Sequence, residues 1–161
     1  MGDSHLMTFK QAAGRDISHI AAVFLRLLDP DGHYPLPKIS ITNRAGADWL
    51  GRAFTRLIGD GKVVTGVSGE IQIQRGALED DKTLHRVLAH EVVHYVVAWE
   101  MYNGVPYGDV KELGAKEKDH GPRFLEVAGR LNALYGSDFI TITSDESYAY
   151  EHREVNLFIL A

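Results

Sequence analysis

The chain has 161 residues, 45% of them hydrophobic and 24% charged, with a formal net charge of −5 and no cysteine. That length suits one domain with its own core. A mean hydropathy of −0.16, with no apolar run of bilayer length, argues against a membrane protein. Lack of cysteine excludes disulfides, thiolate metal ligands and cysteine nucleophiles. The acidic balance, with a pI of about 5.9, speaks against a dedicated nucleic-acid binder, which carries a basic patch. No signal-peptide pattern is present, so a cytoplasmic location is expected.

The opening MGDSHLM reads as an expression-tag remnant, with Met7 as the native start. Residues 1–6, His5 among them, are therefore set aside. Asp16–Leu28 places Ile17, Ile20, Ala21, Phe24, Leu27 and Leu28 on one face and predicts a helix capped by Asp16. DPDGHYPLP breaks it, and Lys38–Thr42 alternates as a short strand. Ala47–Ile58 reads as a weak helix, because Leu50, Phe54, Leu57 and Ile58 share a face. Asp60–Gly61 marks a turn. Lys62–Gly76 reads as two strands around Gly66–Gly69, the second pointing Ile71 and Ile73 one way and Gln72 and Gln74 the other.

A long helix follows, capped by Asp80 or Asp81 and closed at Asn103–Gly104. Val92, Val93, Val96 and Val97 are poor helix formers, and the segment is apolar almost all round. Burial must hold it, which predicts the central helix of the core. Val105–Asp119 has no clear period and reads as a surface loop with at most one helical turn. A helix from Pro122 to a stop at Gly136 carries the stripe Phe124, Val127, Ala128, Leu131, Leu134 and Tyr135. Asp138–Thr143 and Glu154–Ala161 read as strands. The expected fold is α+β, a small mostly antiparallel sheet packed on helices.

The chemistry sits in the long helix. LAHEVVHYVVAWE places His90 and His94 four apart, on one helical face, with Glu91 beside the first. Two imidazoles one turn apart can reach one metal ion. A neighbouring carboxylate can take a proton from water that zinc has acidified toward a pKa of about 7. The plainer alternative is a core helix with two satisfied histidines. Against it, Glu91 would then be a carboxylate on a helix with little polar surface, which is costly without a cation or donors. Two histidines need a third ligand. Val97 and Glu100 rule out the extended metzincin pattern, and His120, Glu112 and Glu117 remain as candidates. His120 is favoured, because the helix beginning there would dock rigidly on the core, whereas a glutamate in a charged loop would be poorly held. His19, His33, His85 and His152 read as structural or solvated.

HEVVH followed by DHGPRF resembles the SprT-like (Spartan-type) zinc metallopeptidase domain family, over roughly Asp16 to Tyr135. In that family a motif helix leads, after a short connection, into an H-G-x-x-F element with the third zinc ligand. The matching positions here are His120, Gly121 and Phe124. The resemblance implies a zincin-like fold, one zinc ion on His90, His94 and His120, Glu91 as general base and a protein or peptide substrate. The connection from His94 to His120 is longer than the family's, so Met101–Lys118 reads as a loop insertion at the rim. The resemblance also brings DNA association, which the charge does not support.

On this reading residues 7–161 form one domain, and the strands from 138 to 161 complete it. The C-terminal segment could instead cover the cleft and restrain activity. Tyr95, Tyr102 and Tyr107 are candidate donors to a developing oxyanion, with Tyr95 also readable as a core aromatic. Asp119 is a candidate acceptor that orients an imidazole. A second reading keeps the zinc and drops the chemistry: a zinc-stabilised module that binds protein or DNA.

Overall fold

The computed structural model describes residues 17–45, 49–117, 120–141 and, as backbone alone, 153–159. In chain order the elements are helix α1 (Ile17–Leu28), strands β1 (Lys38–Thr42), β2 (Gly51–Gly59) and β3 (Val64–Gln74), a 3-10 turn at Arg75–Glu79, helices α2 (Asp81–Tyr102), α3 (Tyr107–Glu117) and α4 (Pro122–Tyr135), and strand β4 (Arg153–Ile159). The class is α+β. The strands form one sheet in the order β1-β3-β2-β4. Its pairings correct the expected mostly antiparallel sheet. Only β2 and β3 run antiparallel, as a hairpin, while β1 lies parallel to β3 and β4 parallel to β2. Each outer strand reaches its neighbour through a crossover rather than a tight turn, and a crossover delivers a parallel strand.

Helix α2 is the centre of the core. From Leu84 to Ala98 every residue except Arg86 is buried. One side of α2 meets β2 and β3, and another meets α1 and α4. Its start is fixed by Asp80, whose carboxylate accepts hydrogen bonds from the Thr83 amide at 3.0 Å and the Thr83 hydroxyl at 2.6 Å. Its end is fixed at Asn103 and at Gly104, whose φ of 84° is open to glycine at little cost.

Several expected elements differ, each for a packing reason. The weak helix over 47–58 is strand β2 from Gly51 onward, residues 46–48 lying outside the described residues. The inward residues of β2 are Gly51, Ala53, Thr55, Leu57 and Gly59, which are mostly too small to produce an apolar alternation. They are small because α2 lies close. A Cβ on Gly51 would fall 2.4 Å from Val87 Cγ1 and 3.3 Å from Glu91 Cγ. Strand β3 is continuous where two strands were expected. Its glycines are not breaks but room for rings, since a Cβ on Gly69 would lie 2.4 Å from Tyr95 Cδ1.

The expected loop insertion over 101–118 is instead the end of α2 followed by helix α3. The inward positions of α3 are Tyr107, Val110, Leu113, Gly114 and Glu117, so its apolar stripe gives out over the second half and the helical period is weak. The chain before α3 is pinned to the β2–β3 hairpin, with Val64 N donating to Val105 O at 2.9 Å and Tyr107 N to Lys62 O at 3.0 Å. The expected strand over 138–143 is irregular as far as Thr141. Its backbone is claimed by side chains: Ile140 exchanges hydrogen bonds with Asn132, and Arg86 Nε donates to Phe139 O. On α1, Leu25 rather than Leu27 faces the core, and Leu134 of α4 is 63% exposed.

Two outcomes follow. Gly69→Ala should cost about 1–3 kcal/mol by overpacking against Tyr95, read from urea unfolding. Asp80→Ala should cost about 1 kcal/mol through loss of the cap. Hydrogen bonds from the Thr83 hydroxyl and amide hold the Asp80 carboxyl below its ordinary pKa. Its stabilising effect is therefore complete above the unfolded value of about 4 and lost as pH falls through the lower folded value. The gap between wild type and Asp80→Ala should close only in strong acid.

Candidate metal centre

Three of the predicted residues, His90, Glu91 and His94, come from the buried middle of α2 and one, His120, from the entry to α4. His90, Glu91 and His94 are 1%, 0% and 2% exposed. His120 precedes α4 and is partly exposed, so the cluster meets solvent on the α4 side. One nitrogen from each of His90, His94 and His120 lies within 4.8 Å of the others. His90 Nε2 and His120 Nε2 are 3.0 Å apart. That spacing suits a hydrogen bond when one nitrogen carries the proton. It is also near the roughly 3.3 Å expected between two ligands on a tetrahedral ion with bonds of 2.0–2.1 Å. Three imidazole nitrogens converging inside a protein are chemically suited to a divalent cation, so the residues fit a metal ion.

Phe124, fully buried on the first turn of α4, forms the floor. Its ring centroid lies 4.9 Å from that of His90 and 4.6 Å from those of His94 and His120. An apolar wall on this side fixes the imidazole planes and keeps the surroundings dry. The Glu91 stem runs along Gly51, the first residue of β2, where a side chain would collide with Val87 and crowd Glu91.

The other candidates sit elsewhere. Glu112 is exposed and pairs with Lys116 at 3.6 Å, one turn along α3. Glu117 is buried, but its carboxylate binds backbone: Oε1 accepts from Arg123 N at 3.0 Å and Oε2 from Phe124 N at 2.9 Å. Tyr95 donates its hydroxyl to Pro35 O, and burial raises its pKa, so it is a neutral core group tied to the loop before β1. The Tyr107 hydroxyl lies against Gly59, at the opposite end of β2 from the Gly51 that touches Glu91. At about 3.3 Å per residue that is a long way along the strand. Tyr102 is buried against Gly114. These placements take Tyr95 and Tyr107 out of the set of oxyanion donors. Asp119 and His152 lie outside the described residues. His85 is buried with Nδ1 2.6 Å from Asp81 O, while His33, beside Asp29, and His19 are on the surface.

Sequence reasoning missed the task of Glu117. A signal was present, since Gly121 at the cap position of α4 has no side chain to offer and Pro122 follows it. The N–H groups of Arg123 and Phe124 therefore needed an acceptor from outside the helix. No family model, curated protein or solved structure matches this chain. No helix among the described residues is long and apolar enough to cross a membrane.

Metal uptake tests the cluster directly. Purified protein should bind one divalent ion, counted by equilibrium dialysis and elemental analysis. His120→Ala should weaken binding by more than the roughly 100-fold that outer partners of a metal site cost. Equal uptake by His120→Ala and wild type would remove His120 from the site.

Proposed function

We propose that this chain is a zinc-dependent metallopeptidase of the zincin-like, SprT-like kind, with His90, His94 and His120 holding the ion and Glu91 acting as general base. The observation that carries the reading is the convergence of three histidine nitrogens within 4.8 Å next to a fully buried glutamate on the same helix. Three nitrogen ligands leave a fourth position open, which is the pattern of catalytic zinc sites rather than structural ones. Zinc when bound supplies Lewis-acid polarisation of a carbonyl and makes water acidic near neutral pH.

The chain's own residues supply the remainder. Glu91 takes a proton from the attacking water and hands it to the departing amine nitrogen, so one carboxylate serves as base and then as acid. Its burial removes competing water, which strengthens its electrostatic action on the reacting atoms. The partly exposed His120 edge is the side from which a peptide would enter. Phe124, packed against all three rings, holds the imidazoles in place.

Glu91 separates this reading from a zinc-stabilised binding module. Wild type supplied with zinc should cleave an unfolded protein such as casein, and a chelator should stop it. Glu91→Gln should lose about 100- to 10,000-fold in rate, the usual share of a general base, while still binding one zinc ion. Zinc-loaded wild type with no more cleavage than Glu91→Gln would leave only the binding module.

A further inference from the structure

Helix α3 ends on a buried carboxylate in a stretch otherwise rich in exposed charge. Glu117 is 6% exposed, whereas Glu112 and the adjacent Lys116 are each 73% exposed as side chains. Burying a carboxylate is expensive unless donors meet it. Here two do. The amides of Arg123 and Phe124 each donate to a different oxygen, at 3.0 and 2.9 Å. These are the second and third residues of α4, whose own cap position is a glycine with no side-chain cap bond. The charge also faces the positive end of the α4 dipole.

His120 lies inside this clamp. It is preceded by the carboxylate that grips and followed within four residues by both amides that are gripped. The backbone closes the same loop, because a Cβ on Gly121 would fall 2.1 Å from the Glu117 carbonyl oxygen. Only glycine lets the chain fold back so tightly on Glu117. Phe124, one of the two gripped residues, is also the floor under all three imidazoles. Glu117 further lines a cavity of about 10 Å³ together with His94, Thr55 and Tyr102, space for about one water molecule.

We infer that Glu117 is a positioning residue of the metal centre: by clamping the first turn of α4 it fixes His120 and Phe124 relative to His90 and His94. This rests on the metal site proposed above. Glu117 does not touch the ion and takes no part in proton transfer. It sets the cost of bringing the third ligand into place, so its removal should appear as lost metal affinity at constant ligand identity.

The test compares Glu117→Gln and Glu117→Ala with wild type and with Glu112→Ala, an exposed glutamate on the same helix. Zinc Kd is measured by chelator competition, cobalt absorption reports the coordination, and melting of the metal-free protein reports the fold. Glutamine is isosteric and keeps one acceptor, so it tests the clamp even if the alanine variant fails to fold. We expect zinc Kd to rise at least about tenfold in Glu117→Gln, within the range that outer partners of metal ligands command. The cobalt spectrum should lose intensity or shift, and Glu112→Ala should match wild type in both. A lowered melting temperature with unchanged zinc Kd and cobalt spectrum would assign Glu117 to helix stability alone and overturn the inference. Wild type that takes up neither zinc nor cobalt would overturn the metal site itself, and the inference with it.

Discussion

Placing a glutamate and two histidines in the buried middle of a helix is the constraint to which the rest of this fold answers. Groups of this kind lose their hydration on burial, and apolar neighbours do not restore it. The chain accepts that cost in α2, where His90, Glu91 and His94 are all at most 2% exposed. The cation proposed above would add a positive charge among the three imidazoles, beside the Glu91 carboxylate. The same burial holds together a helix whose valines favour strands.

The surrounding elements yield space to α2. Strand β2 turns glycine, alanine and threonine toward it, and β3 sets Gly69 under Tyr95. Helix α4 packs against α2 with Phe124, Val127, Ala128 and Leu131 buried, and its first turn meets the imidazoles through Phe124. Two of the proposed ligands therefore belong to a helix interior and one to a helix entrance. The α2 pair is fixed by covalent spacing, whereas the third depends on how α4 is docked.

This division also explains what the sequence made legible. The His90–His94 pair could be read because four-residue spacing converts directly into one helical face, and DHGPRF stood out because a proline and a glycine mark a helix start. The α+β class was readable too, as were α2, the second half of β3 and the ends of α4. β2 and α3 were not, and for one shared reason. Hydrophobic periodicity reports large apolar residues pointing inward. Where elements pack closest, the inward positions hold Gly51, Ala53 and Thr55, or Gly114 and Glu117, and the signal vanishes. Sheet direction was hidden for a different reason, since parallel and antiparallel neighbours differ in connection rather than in local composition. The role of Glu117 was hidden because its partners are backbone amides, which no residue pattern names.

The clamp at the start of α4 has a kinetic side. Opening energies vary across a fold, and helix entrances open more readily than core interiors. Release of the first turn of α4 would move His120 away from His90 and His94 while α2 and the sheet stayed folded. If the proposed ion is held there, its exchange would not wait for global unfolding. It would go through a local opening governed by two hydrogen bonds to one carboxylate, so the lifetime of the ion and the lifetime of the fold would be separately tunable.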